Sequence, residues 1–228
     1  PPMMTADFEQ RLNQVLPRLL SADVLDNRGA GGEIGFWIFD YPPEREMDMR
    51  LWLDDVIVPG IQKQRPDLRF VLPVVPGLRP LVEPMVREHA PEAPLTLLDG
   101  QSHEALAACD VTLIASGTAT LEAALFKRPM VIGYHMHPLS WWLMRRKQLQ
   151  PWVGLPNILC GEFVVPELIQ DAATPQALCA ATLQWLRAKE QQPEKIHALE
   201  QRFDALHESL QSNTSQLAAD AIQKVLAS

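Results

Sequence analysis

Cysteine is scarce: three residues in 228, at Cys109, Cys160 and Cys179, with no two in a CxxC pair. An odd, scattered set excludes a disulfide framework and gives no thiolate cluster for a metal, so each is expected to be a small buried apolar side chain in a reducing cytosol. Long apolar runs are missing too. No window approaches the roughly 18 residues that a membrane-spanning helix requires. The opening Pro1-Pro2-Met3-Met4 and the polar residues after it lack the charged-then-apolar layout of a secretory signal. Positive charge is in deficit, with 20 Lys and Arg against 28 Asp and Glu, net −8. A nucleic-acid binder working through a global basic field is therefore not expected. The deficit is uneven: residues 1–60 hold 11 acids and 5 bases, and the remainder 17 and 15. Two segments of different character are implied, 1–60 and 61–228.

What is present is apolar material, 47% of the chain, enough for one large α/β unit with a substantial core. Beyond residue 62 short β-branched runs alternate with helix-length segments. Leu68–Val75, Leu95–Leu98, Val111–Ala115 and Met130–Tyr134 read as buried strands. Leu81–His89, Ser102–Cys109 and Ala119–Phe126 read as helices, with Pro84 tolerable only near a first turn. This alternation predicts right-handed βαβ units on a parallel, Rossmann-like sheet flanked by helices. From Thr174-Pro175, a helix start with proline in its first position, the chain is expected to be helical to its end. The first 60 residues follow another plan. Phe8–Leu20 is an amphipathic helix, Ile34–Asp40 a strand, and Tyr41-Pro42-Pro43-Glu44 the turn into a further helix ending near Val58.

The segment richest in chemistry is Ala115-Ser116-Gly117-Thr118-Ala119-Thr120-Leu121-Glu122. It leaves a buried strand and opens a helix at the carboxyl edge of the sheet, where open α/β sheets bind ligands. Gly117 permits close backbone approach, Ser116 and Thr118 bring hydroxyls, and the first helical N–H groups would attract a diphosphate. Glu122, one turn further, is placed to accept bonds from a ribose diol. Spacing alone equally fits a capped helix whose first acid stabilises the helix dipole.

The runs Ser116–Glu122, Pro129–Tyr134, Leu155–Leu159, Arg65–Val74 and Leu97–Gly100 together resemble the lipid-A-disaccharide synthases over about 165 residues. The resemblance implies one half of a GT-B glycosyltransferase, a hexosyltransferase with UDP-2,3-diacylglucosamine as donor and 2,3-diacylglucosamine 1-phosphate as acceptor. It implies UDP-sugar and lipid substrates, no cofactor and no metal. By the same resemblance Ser116, Gly117 and Thr118 would hold the diphosphate and Glu122 the ribose. Tyr134 and a Leu155-Pro156-Asn157 loop would line the nucleotide pocket, with Asn157 reaching the ligand. Copies would pair through their C-terminal helices.

Two parts of the family pattern are not in this sequence. The acceptor-side half belongs upstream of the match, and Gly-Ser-Arg occurs nowhere. No residue is therefore assigned as catalytic, and the stretch is expected to bind without transferring. Residues 5–58 instead resemble the start of a protein family of bacteriophage-exclusion loci, through Arg11-Leu12, Gly32–Phe36 and Ile38–Glu44. A junction is expected near Pro59 to Gln64, with Ile34–Asp40 pairing beside Leu68–Val74 as a substitute first strand. Two other readings fit parts of the chain: a non-enzymatic interaction protein of such a locus, and a UDP-N-acetylglucosamine 2-epimerase.

Two further features are ambiguous. His135 and His137 are two apart after a strand, but no third ligand is near, so solvent-facing loop positions are expected rather than a metal site. Trp141-Trp142-Leu143-Met144 followed by Arg145-Arg146-Lys147 is an aromatic-then-basic helix. It suits either packing on the sheet or peripheral contact with the inner membrane through Trp141, Trp142, Arg145 and Arg146.

Overall fold

The computed structural model describes residues 34–38, 53, 60–115, 117–135, 138–147, 150–211 and 222–225, with 34–38, 138–140 and 147 described by backbone alone. The expected helices over 8–20 and 43–58 lie outside the described residues, apart from Leu53, which is buried in the core.

Six strands form one sheet: β1 (Ile34–Ile38), β2 (Arg69–Val74), β3 (Leu95–Asp99), β4 (Val111–Ile114), β5 (Met130–Tyr134) and β6 (Glu167–Ile169). Their order is β3-β2-β1-β4-β5-β6 and every pairing is parallel. The inner strands are short and predominantly apolar, because a parallel sheet covered by helices on both faces leaves no polar side, while charged residues stand at the ends, as Arg69, Asp99 and Glu167 do. Val111–Ile114 and Met130–Ile132 are accordingly buried throughout.

The strand expected beside Leu68–Val74 does pair there. β1 lies in the middle of the sheet, joining β2 in the register Ile34↔Arg69 and β4 in the register Gly35↔Val111. Without it the sheet would fall into two halves, each with an open edge. Strand order reverses at β1, so the crevice outside the carboxyl ends of β1 and β4, where Ile38 pairs with Ile114, is the topological switch point.

The crossover helices are α1 (Arg79–His89), α2 (Ser102–Ala108), α3 (Thr118–Leu125), α4 (Pro138–Lys147) and α5 (Leu155–Cys160). α1 starts two residues earlier than the apolar pattern implies, with proline at its start, so Pro84 falls inside the helix and removes one of its backbone bonds. α6 (Pro175–Gln191) and α7 (Pro193–Leu210) follow, and residues 222–225 are helical as well. Thr174 caps α6, its Oγ1 accepting the Ala177 N–H at 3.2 Å, with Pro175 in the first turn as the sequence predicts. The helical tail is not continuous: Gln192 leaves helical geometry before Pro193, which has no N–H to carry the ladder on.

α6 buries Leu178, Thr182, Leu183, Trp185 and Leu186 against β4 and β5. Each fully buried apolar side chain of this kind contributes about 1.5–3 kcal/mol. The Trp185 indole N–H donates to the Met130 carbonyl at 3.0 Å, so burying its polar end costs little. α7 lays Leu199, Phe203 and Leu206 across α6, α3 and α5.

Candidate functional site

β4 delivers the chain to Gly117 at the switch point. Gly117 is the N-cap of α3 with φ 117° and ψ −165°, a backbone state that essentially only glycine adopts. No atom lies within 4 Å of where its Cβ would be, so space does not dictate the glycine; backbone conformation does. Thr120 secures the turn, its Oγ1 donating to the Gly117 carbonyl at 2.7 Å. Gly117 and Thr118 are exposed, while Thr120, Ala123 and Ala124 on the opposite face of α3 are buried. The N–H groups of Thr118 and Ala119, in the first turn of α3, have no carbonyl within the helix behind them. A glycine-capped helix start at this edge of the sheet is the local geometry expected for an anion. Ser116 lies outside the described residues.

Glu122 stands four residues after Thr118 and so shares its face of α3. Its side chain is 41% exposed. One carboxylate oxygen faces His103 Nε2 at 3.4 Å. His103 comes from the first turn of α2, and its ring also packs against Phe126 with centroids 5.7 Å apart. Tyr134 ends β5. Since Ile132 pairs with Ile114, Tyr134 reaches two residues beyond the end of β4, at the same sheet edge as Gly117.

Asn157 behaves differently from expectation. The segment Leu155-Pro156-Asn157 is not a loop but the first turn of α5, and Asn157 is fully buried. Its Nδ2 donates to the Val165 carbonyl at 2.9 Å and to Glu167 Oε1 at 2.8 Å. Its Oδ1 accepts the Val164 and Val165 N–H groups at 2.9 and 3.0 Å. Two donors and two acceptor positions are thus all filled, and the amide has nothing left for a ligand in this arrangement. Its work is internal. Glu167, on the short edge strand β6, completes the cluster by accepting the Val153 N–H at 2.9 Å and the Gly154 N–H at 2.8 Å. The carboxylate thereby satisfies the N–H of Gly154, the N-cap of α5, and that of the residue before it, and sits at the positive end of the helix. Gly154 is needed because a Cβ there would lie 2.3 Å from Ile132 Cδ1.

Elsewhere, α4 exposes Trp142 by 50% and Leu143 by 52%, and the Arg146 guanidinium covers the Trp142 ring 3.8 Å from its centroid. Arg145 is exposed beside it, while Trp141 is partly covered. His135 is exposed and His137 lies outside the described residues; among the described residues no three His, Cys, Asp or Glu side chains group as metal ligands. Cys109 and Cys179 are buried as expected, whereas Cys160 is only half-buried, and burial pushes the Cys109 thiol up to about 12. Burial also raises Cys160 and Cys179, so none is poised as a thiolate. No helix among the described residues is long and apolar enough to cross a membrane.

Comparison with known proteins gives a consistent picture. The family model for lipid-A-disaccharide synthetase matches residues 43–222. The lipid-A-disaccharide synthase of Verminephrobacter eiseniae is 64% identical over 167 residues, covering 73% of this chain and 43% of that protein. The corresponding synthase of Pseudomonas aeruginosa is 50% identical over 164 residues, covering 72% and 41%. The chain thus spans about two fifths of the length of the curated relatives it matches. Among solved structures, a putative UDP-N-acetylglucosamine 2-epimerase from Listeria monocytogenes aligns with a TM-score of 0.52 at 16% identity, over 85% of this chain and 48% of that one. The pneumococcal O-GlcNAc transferase solved with UDP and GlcNAc aligns with a TM-score of 0.51 at 15% identity, over 96% and 44%. At such identity these likenesses show a shared α/β half-fold.

Proposed function

The chain belongs to the lipid-A-disaccharide synthetase family, and from that membership we propose that residues 61–228 are the UDP-sugar-binding half of a lipid A glycosyltransferase. The observation that carries the reading is the bend at Gly117. Gly117, three residues beyond β4 near the switch point, starts α3 in a backbone state reserved for glycine, and Glu122 lies one turn further on the same face as the exposed Thr118. In this reading Ser116, Gly117 and Thr118 take the diphosphate of UDP-2,3-diacylglucosamine. Glu122 takes the ribose diol and Tyr134 borders the nucleotide. As the sugar moves to the acceptor, 2,3-diacylglucosamine 1-phosphate, negative charge grows on the departing diphosphate. Oriented N–H donors at a helix start stabilise that charge without reorganising. Asn157 contributes indirectly, by fixing α5 against β6 through its contact with Glu167.

For these 228 residues alone we propose binding without transfer. An inverting sugar transfer requires a base at the acceptor hydroxyl and a clamp on the leaving group. The Gly-Ser-Arg sequence that would supply the clamp is not in the chain, and the relatives it matches are more than twice as long as the shared stretch. A cytoplasmic location, with α4 resting on the inner membrane, suits an enzyme handling lipid-linked sugars.

Calorimetric titration of UDP into the chain and into Glu122→Ala tests the binding claim. Saturable heat is expected from the parent and about a ten- to thirtyfold weaker Kd from the variant, the loss of hydrogen bonds to a charged group. A parent chain that gives no heat with UDP overturns the reading. Release of UDP from donor plus acceptor at a sustained rate would overturn the restriction to binding.

A further inference from the structure

His103 has no role in the site described so far, yet it is the side chain that faces Glu122 from the neighbouring helix. Its Nε2 lies 3.4 Å from Glu122 Oε2, and its ring rests on Phe126 at 5.7 Å between centroids. Glu122 and Phe126 are four residues apart on α3, so His103 meets one ridge of that helix at two points. Both helices that bring the residues together are held in place. The Arg128 guanidinium, just beyond α3, donates to the carbonyls of Leu106 and Ala107 at the end of α2, at 3.0 and 2.6 Å. That contact caps the carboxyl end of α2 and locks it to the segment following α3. α2 is also anchored from its own length, since Ala105, Leu106 and its C-cap Cys109 are buried in the core.

We propose that His103 is a positioning residue for ribose recognition: from a fixed helix it holds one oxygen of the Glu122 carboxylate, so that the other is turned toward the 2′- and 3′-hydroxyls of the nucleotide. The inference rests on the assignment of Glu122 to the ribose. An exposed glutamate on a helix samples several rotamers, and each hydrogen bond to a ligand must first overcome that freedom. A ring nitrogen from a second helix restricts the carboxylate before the nucleotide arrives. Glu122 Oε1 takes no partner among the described residues, which leaves it for the diol. A diphosphate bound at Gly117 would not sense this arrangement; only the sugar would.

The test is therefore a ratio. Kd values for UDP and for 2′,3′-dideoxy-UDP are measured by calorimetry on the full chain and on Glu122→Ala, His103→Ala and His103→Gln. The parent is expected to prefer UDP about ten- to thirtyfold, as charged hydrogen bonds to the diol would give. Glu122→Ala should erase the preference. His103→Ala should reduce it to about threefold while leaving the affinity for the dideoxy compound unchanged, and His103→Gln, whose amide can still donate, should restore most of it. Equal binding of both nucleotides by the parent, or a preference that survives Glu122→Ala, overturns the ribose assignment and this inference with it. A preference erased by Glu122→Ala but unchanged or increased in His103→Ala overturns the inference alone, an increase meaning that the histidine competes with the ribose. His103 is 67% exposed, so its replacement does not threaten the fold.

Discussion

Asn157 donates to Glu167 across 2.8 Å, and this one contact joins the first turn of α5 to the edge strand β6. The pair also gathers the N–H groups of Val153, Gly154, Val164 and Val165, so four backbone donors depend on two side chains. Removing either partner leaves buried donors unmet. Asn157→Ala is expected to cost about 2–4 kcal/mol, the sum of two unsatisfied N–H groups and a small cavity. Asn157→Asp should be worse at neutral pH, because it sets a second carboxylate against Glu167. A double-mutant cycle between the two positions should report a coupling of about 1–3 kcal/mol by chemical denaturation. Additive losses would show that the two side chains act independently.

Gly154 shows how tightly the same corner is packed. An added methyl would lie 2.3 Å from Ile132 Cδ1 and 3.0 Å from Glu167 Oε1. Ile132 is fully buried in β5 and has no free volume into which to turn. Gly154→Ala should therefore destabilise by about 1–3 kcal/mol, the range for overpacking a core. Adding Ile132→Val removes the clashing carbon, and the double variant should regain part of the loss. A pair of single losses that simply sum would rule out the steric account.

Two glycines separate conformational strain from steric fit. Gly117 sits at φ 117°, ψ −165°, and Gly161, which ends α5, at φ 70°, ψ 16°. Neither would bring a Cβ within 4 Å of a neighbour. The second is ordinary left-handed geometry, which asparagine tolerates; the first is not. Gly161→Asn should change stability by less than about 1 kcal/mol, and Gly117→Asn should cost about 1–3 kcal/mol. Thermal unfolding reads both. UDP affinity should fall only in Gly117→Asn, since in the proposed reading only that bend holds the diphosphate.

Much of this architecture is legible in the sequence because the strands are buried on both faces. Met130–Tyr134 reads as a strand from its apolar run and is one, residue for residue. Thr174-Pro175 announces α6 because hydroxyl capping and proline at the first turn are local chemistry. The β1 pairing follows from length: a strand plus a helix-sized segment ahead of β2 is what the sheet requires at its centre. Where several distant residues decide the outcome, local pattern stops helping. Asn157 reads as a residue available to a ligand until β6 folds back and places Glu167 and Val165 around it. Glu167 lies on a three-residue strand that carries no alternation to mark it. His103 follows an unremarkable Gln-Ser pair, and only the packing of α2 on α3 brings it to Glu122. The start of α1 is legible once Arg79-Pro80 is recognised as a first turn, which then puts Pro84 within the helix.

α4 offers the last prediction. Trp142 and Leu143 are each about half exposed, and Arg146 stacks on the Trp142 ring 3.8 Å from its centroid. On a water-facing surface that stack shields the indole. At an anionic bilayer the same two residues separate their tasks: the indole enters the interface and the guanidinium stays with the phosphates. Binding to vesicles of anionic lipid should then exceed binding to zwitterionic ones and fall with added salt, since each basic residue near such a surface contributes about 1 kcal/mol. Replacing Arg145 and Arg146 with Gln should lower vesicle affinity roughly thirtyfold in cosedimentation at low salt, at that same contribution per charge. Trp142→Ala should weaken binding to both lipid types alike, because its contribution is apolar. The protein as a whole is acidic, net −8, so any attraction to anionic lipid must come from a local patch. Equal sedimentation of the parent and the Arg145, Arg146 double variant would leave α4 without that role.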